Sequence, residues 1–381
     1  MPSVSSVELG MTSSLAIYIH WPYCTRICPY CDFNVYKNRE DEALGPALLE
    51  DLTRWRSLSG PRSIRSVHFG GGTPSLMSPA LISDLLDHIH TLWGLPNTIE
   101  IGLEANPKDI NKTSAKAMKA AGINRLSLGV QSFHDQALHL LGRDHDGEAA
   151  YKAACLSREI FQNISLDLIY GWYGQTISLW EQDLDLALQT KPHHLSAYQL
   201  TIEPGTSFGA LSARGKTLAV GSDESADFYD ITRTRLTDAG FDHYEVSNFA
   251  KPNYPSQHNL TYWQGEDYAG IGSGAHGRLR KGAEKYTSLA PRERHKYLRQ
   301  THIELTPLSP TQWGDEYVLM GLRISQGISL EAYETITGAP LNPKTIEGLI
   351  AHGLLIKQGD RLSATPQGRQ LLDHVTEKLL T

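Results

Sequence analysis

Four cysteines are all that 381 residues contain, a scarcity that excludes a disulfide-braced secreted scaffold. Long apolar runs are missing too: none approaches the roughly 20 residues needed to span a bilayer. Positive charge is in short supply. With 35 Lys and Arg against 42 Asp and Glu, the net charge of −7 lacks the basic footprint of a nucleic-acid binder. The first fourteen residues have neither the charged start nor the apolar stretch of an export signal. Residues 1–14 are therefore read as a disordered tail, and the protein as cytoplasmic. What is present, 40% apolar and 20% charged residues, suits a globular chain with one large domain and a smaller one.

The cysteines are not scattered. Cys24, Cys28 and Cys31 stand as Cys-x-x-x-Cys-x-x-Cys directly after the apolar run Leu15 to Ile19. Disulfides between such close neighbours would close strained loops, so metal ligation is the better reading. Zinc is one reading, although a closed zinc site wants four ligands, commonly from two separated knuckles, and this chain has no second cysteine pair. A cubane iron–sulfur cluster on three thiolates is the other; it leaves one iron open for chemistry.

From Leu15 to about Leu200, short β-branched runs alternate with amphipathic stretches, which predicts strand–helix units around a parallel sheet. The predicted strands are Leu15 to His20, Ile64 to Phe69, Thr98 to Leu103, Arg125 to Val130, Ile164 to Tyr170 and His194 to Leu200, enough for a partial α/β barrel. Ser78-Pro79 caps one helix, Ser178-x-x-Glu181 reads as a capping box for another, and Gly122 stops a third. In such barrels the reactive groups gather at the C-terminal ends of the strands. There the chain carries the cysteine loop, Gly70-Gly71-Gly72-Thr73-Pro74, Glu104-Ala-Asn106-Pro107, Gln131 and Asp167. Apart from the cysteines, each alone reads as an ordinary turn or loop residue.

The segment Tyr18-Ile-His20-Trp-Pro22-Tyr-Cys24-Thr-Arg-Ile-Cys28-Pro-Tyr30-Cys31 resembles the cluster loop of the radical S-adenosylmethionine enzymes. The resemblance implies a partial (β/α)6 barrel with a four-iron four-sulfur (4Fe-4S) cluster on Cys24, Cys28 and Cys31. It also implies that S-adenosylmethionine chelates the open iron and is cleaved by an electron to a 5′-deoxyadenosyl radical. Gly71, Gly72 and Thr73 resemble the Gly-Gly-Thr-Pro element that contacts the methionine amino group. Arg143 offers a fork for the methionine carboxylate, while Glu104, Gln131 and Asp167 suit the ribose and amino groups. Together with Tyr18 and Tyr30 they match the cofactor-binding positions of the anaerobic coproporphyrinogen III oxidase family, a resemblance running from Tyr18 nearly to the C-terminus.

Two departures separate this chain from the oxidase branch. That branch adds a cysteine two positions after the third, where Phe33 stands here, and it carries a long N-terminal arm, whereas seventeen residues precede Tyr18. The heme chaperone branch is the better match. It shares Cys28-Pro29-Tyr30-Cys31-Asp32-Phe33-Asn34 and the later His258-Asn259-Leu260-Thr261-Tyr262-Trp263. This resemblance implies heme as a cofactor or cargo, with His258 as the candidate contact. It implies delivery of heme to apo-hemoproteins, respiratory and membrane-bound ones among them, without coproporphyrinogen oxidase activity. A homodimer is compatible with the sequence, and nucleic acid is not an expected partner. The alternatives are oxidative decarboxylation of coproporphyrinogen III and a radical reaction on an unrelated substrate. Gly270 to Gly277 reads as a glycine-rich turn or a heme contact, and Trp172-Tyr173 as repacking or an aromatic wall near the cofactor.

Cys155 reads as a small buried apolar side chain on a helix. The barrel and its extension are expected over residues 15–277. Between Arg278 and Arg299 eight Lys or Arg meet two Glu, which reads as a solvated basic connector over 278–300, with heme propionates or an anionic membrane as a second attraction. Residues 301–381 suggest a winged-helix-like module of three helical runs and a hairpin turning at Gly359-Asp360. Six Lys or Arg against nine Asp or Glu give it a net −3, so docking or a lid is favoured over DNA binding.

Overall fold

The computed structural model describes residues 14–37 and 42–381. The expected tail lies outside the described residues except for Ser14, which opens the first strand. Strands β1 (Ser14–Trp21), β2 (Ser63–Gly71), β3 (Glu100–Ala105), β4 (Arg125–Gln131), β5 (Asn163–Tyr170) and β6 (His194–Gln199) run parallel in sequence order. They are the six strands the sequence predicts. The third starts later than expected because Ile99 N–H bonds to Pro96 carbonyl in a turn, 3.1 Å.

Alternation along each strand separates two layers. Leu15, Ile17, Ile19, Val67, Phe69, Leu103, Leu126, Leu128, Leu166 and Leu168 are buried to the last few square ångströms and face the surrounding helices. Each contributes on the order of 1.5–3 kcal/mol. The opposite faces carry Tyr18, His68, Glu104, Ser127, Asp167 and His194, so the barrel is lined by polar groups that bond to one another. The outer helices include α1 (Leu44–Ser59), α2 (Pro79–Trp93), α3 (Lys112–Ala120), α4 (Gly147–Ile160) and α5 (Ile177–Gln189). Ser78 caps α2 as expected, accepting from Leu81 N–H, but α5 is capped by Thr176, whose hydroxyl accepts from Leu179 N–H; Ser178 lies inside its first turn. Cys155 on α4 is only half-buried.

Beyond α6 (Ser222–Asp238) the sheet is extended by β7 (Asp242–Glu245) and β8 (Asn248–Ala250). After α7 (Gln257–Trp263), β9 (Tyr268–Ile271) lies parallel to β1 and is followed by β10 (His276–Lys281), β11 (Glu284–Leu289) and β12 (Thr306–Pro307). The full twelve-stranded order is β12-β11-β10-β9-β1-β2-β3-β4-β5-β6-β8-β7. The stretch expected as a solvated connector is thus largely a β-hairpin of this sheet. Two of its cations are taken up within the protein: Arg278 pairs with Glu316 at 2.9 Å, and Lys285, 1% exposed, lies 3.5 Å from the same carboxylate, while Lys281, Arg292, Lys296 and Arg299 stay exposed.

The C-terminal module holds α8 (Pro310–Gly321), β13 (Ile328–Ser329), α9 (Leu330–Thr337), α10 (Pro343–Ala351), the hairpin β14 (Leu355–Gln358) and β15 (Arg361–Ala364), and α11 (Leu372–Leu380). It has its own apolar core around Val318, Ile328, Leu362 and Val375. Helix α8 ties both margins of the sheet: Glu316 takes Arg278 of β10, and Arg323, just past the helix, meets the fully buried Glu245 of β7 at 2.6 Å. Arg278 pairs with Tyr268, beside Ala16 at the start of β1, so the module sits at the strand starts. It is no lid over the cysteine loop. Among the described residues no helix is long and apolar enough to cross a membrane.

Candidate cofactor site

β1 delivers the chain into the cysteine loop, and β2 holds that loop from beside it. Gly72 N–H bonds to Trp21 carbonyl (2.7 Å) and Thr73 N–H to Tyr23 carbonyl (2.9 Å). A Cβ on Gly72 would stand 2.7 Å from Tyr23 carbonyl oxygen and 3.0 Å from Cys24 Sγ, so only glycine lets the strand come this close. The loop's exit is pinned by Asn34, whose carbonyl accepts from His20 Nε2 (2.9 Å) and whose amide donates to Ser273 carbonyl (2.9 Å) and Arg292 carbonyl (3.0 Å). Gly142, at φ +67°, packs on Pro29.

At the C-terminal ends of the strands a cavity of about 430 Å³ opens. Cys24, Cys28, Cys31, Tyr30, Gly71, Gly72, Thr73, Glu104, Gln131, Arg143 and Asp167 all line it. Residues spread over more than a hundred positions, each expected from the sequence, are thereby brought to one wall. Tyr18 and His258 are the two exceptions. Tyr18 turns into the barrel below the cavity, its hydroxyl 3.1 Å from His20 Nδ1. His258 is buried on α7 beneath it, ring-stacked and 6% exposed. Gly270 to Ile271 completes β9, and Gly272 at φ +107° lies against His20, so that stretch is a core turn. Trp172 is core and Tyr173 is 60% exposed; neither lines the cavity.

The cavity wall is anchored by charge. Arg143 donates to Gly129 carbonyl (2.9 Å) and to Cys28 Sγ (3.4 Å), while its buried Nε has no partner among the described residues. An orphaned guanidinium N–H fits an incoming carboxylate. Burial works against its charge, but Tyr30 and Cys28 beside it hold Arg143 above its ordinary range. Asp167 accepts from Ser127 (2.9 Å) and Ser165 (3.3 Å); burial pushes its carboxyl up, against the pull of hydrogen bonds from Ser196 and Ser127. Glu104 accepts from Gly71 N–H (3.2 Å) and faces His68 Nε2 (3.1 Å). Gln131 takes φ +67°, held by the next two residues: Ser132 hydroxyl and Phe133 N–H both donate to buried Asp183, at 2.7 and 2.6 Å. Carboxylates outnumber guanidinium groups around the cavity, which suits a ligand bearing a sulfonium and an ammonium.

Among the described residues no three His, Cys, Asp or Glu side chains converge closely enough to hold a single metal ion. Three thiols spread on one rim suit a cluster, where each sulfur binds its own iron, better than zinc. Burial raises the thiols of Cys24 and Cys31, the latter to about 11, so ligation must release their protons. Phe33, 60% exposed at the rim, adds no fourth sulfur.

The sequence pointed to Asn106 at the end of the third strand, but Ser127, Asp144 and Tyr198 on the wall were missed. The signal was there for some of them: Ser165-x-Asp167 and His194-x-Ser196-x-Tyr198 put polar groups at every second strand position, the mark of a polar interior.

Comparison with known proteins agrees with this geometry. Residues 18–187 match the model of the Radical SAM superfamily, and residues 308–371 that of the HemN C-terminal domain. The chain is 36% identical to radical S-adenosyl methionine domain-containing protein 1, mitochondrial, of Mus musculus, over 96% of this chain and 87% of that protein. It is 34% identical to heme chaperone HemW of Bacillus subtilis, over 94% of this chain and 97% of that protein. Among solved structures, coproporphyrinogen III oxidase (HemN) from Escherichia coli superposes with a TM-score of 0.79 at 24% identity, covering 97% of this chain and 90% of that one; it supports the fold. The chain belongs to the radical S-adenosylmethionine superfamily and, within it, to the heme chaperone branch of the coproporphyrinogen III oxidase-like family.

Proposed function

We propose that the protein binds heme and hands it to apo-hemoproteins, respiratory membrane-bound enzymes among the acceptors, and that it works in the cytoplasm, where thiols stay reduced. The observation that carries this reading is the match over nearly the full length to a relative called heme chaperone HemW. The family's cofactors are a 4Fe-4S cluster and S-adenosylmethionine, which when bound supply one-electron chemistry. In this reading Cys24, Cys28 and Cys31 hold the cluster, and Arg143 orients the methionine carboxylate through its unpartnered Nε. Gly71, Gly72 and Thr73 leave room for the amino group, while Glu104, Gln131 and Asp167 receive the ribose and ammonium donors and Tyr30 shields the cluster from water.

Phe33 at the rim favours this over coproporphyrinogen oxidation, since the oxidase branch has a cysteine there. The test is heme titration of anaerobically reconstituted protein, with and without cluster, followed by transfer to an apo-hemoprotein. Binding and transfer are expected, with coproporphyrinogen III left unchanged. Vinyl-group formation, or a protein that binds no heme, overturns the reading. Size determination with and without heme tests whether two copies associate.

A further inference from the structure

Between the cavity and the strand starts lies a column of rings. Helix α7 crosses the starts of β2 and β3, where His258 N–H donates to Glu100 Oε1 at 3.2 Å. The His258 ring lies flat on His68, 4.1 Å between centroids and 10° apart. Tyr18 stacks on it at 5.6 Å, and Tyr262 meets it edge-on at 4.7 Å. His68 is in turn immobilised: a Cβ on Gly102 would sit 2.5 Å from its Nδ1, so backbone walls it on one side while His258 covers its face. The Nε2 of His68 reaches Glu104 Oε1 at 3.1 Å, and the other Glu104 oxygen accepts from Gly71 N–H in the glycine element of the cavity.

We propose that His258 is a positioning residue for the cofactor cavity: its ring clamps His68, which fixes the Glu104 carboxylate where it meets Gly71 and the ligand. Three observations carry this. The ring is stacked on both neighbours rather than bonded through Nδ1, which has no partner among the described residues. At 6% exposure the ring is embedded in the column, its faces taken up by His68 and Tyr18. The column is continuous, each member touching the next from α7 to the cavity. Burial also keeps His258 far less basic than usual, so the clamp is a neutral ring. The His-Asn-x-x-Tyr-Trp motif then belongs to the pocket's support, a role for which a flat ring matters and a ligating nitrogen does not.

The inference rests on S-adenosylmethionine occupying this cavity, and the experiment separates the two. His258→Ala and His258→Phe are reconstituted with cluster, and S-adenosylmethionine affinity by equilibrium dialysis is read beside the visible spectrum of added heme. His258→Ala is expected to weaken S-adenosylmethionine binding roughly tenfold, the scale of losing an outer support. His258→Phe, which keeps a flat ring, is expected to restore it, with an unchanged heme spectrum in both. Unchanged affinity in His258→Ala overturns the proposal, as does an altered heme spectrum in His258→Phe with affinity intact. If His258→Ala does not fold, the Phe variant decides alone: loss of S-adenosylmethionine binding there overturns the clamp. A wild-type protein that takes up a cluster but no S-adenosylmethionine overturns the underlying reading instead.

Discussion

A single methyl group on Gly72 would collide with Tyr23 carbonyl and Cys24 Sγ, so this position tests the cysteine loop most sharply. Gly72→Ala is expected to lower iron and sulfide loading roughly tenfold while far-UV circular dichroism stays native. At Arg143, lysine keeps the charge but loses the fork and the Nε donor. Arg143→Lys is expected to weaken S-adenosylmethionine binding by one to two powers of ten, about 1.5–3 kcal/mol for a charge-assisted hydrogen bond, read by dialysis. Such residues were legible because side-chain chemistry and position after a strand both survive in one dimension. Tyr18 and His258 were not. Each sits beside a recognisable motif, but depth inside a barrel is set by strand stagger and by which helix plugs the end, and neither is written in local spacing.

Buried polar groups join elements here alongside the apolar core. Asp51 on α1 accepts from Gly272 N–H (3.3 Å) and Tyr297 hydroxyl (3.0 Å), tying that helix to the end of β9. Burial pushes its carboxyl from 3.8 up to about 6. The folded state therefore holds this proton more tightly than the unfolded chain. Stability from this group grows as pH falls from about 6 toward 4, and the ionised form costs about 3 kcal/mol above that window. Asp51→Asn is expected to raise the melting temperature near pH 8 and to flatten its rise on mild acidification. Asn34 is the second fastener. Asn34→Ala removes donors to Ser273 and Arg292 and is expected to cost about 1–3 kcal/mol, with faster cluster loss to a chelator. The strands were readable from their apolar alternation, whereas the basic stretch after Arg278 was not. Its charges suggested solvent, but Glu316, supplied by a helix further along the chain, takes up Arg278 and Lys285 inside a hairpin.

At the scale of the whole molecule, α8 is the fastener that joins sheet to module. Glu245 is fully buried, so removing Arg323 strands a carboxylate out of water. Arg323→Ala is expected to destabilise by about 3–5 kcal/mol, seen as a lower urea midpoint, and Glu245→Gln in the same protein to recover part of it. The pairing of β1 with β9 has a further consequence, one of timing. Cys24, Cys28 and Cys31 leave the ribosome early, but Tyr268 to Ile271, which completes the sheet beside β1, and Ser273 and Arg292, which grip Asn34, are made far later. A chain ending before Tyr268 holds every residue that lines the cavity but lacks the strand beside β1 and the partners that grip Asn34. Such a shortened chain is expected to take up less iron and sulfide than the full chain, read by iron and sulfide assay after anaerobic reconstitution.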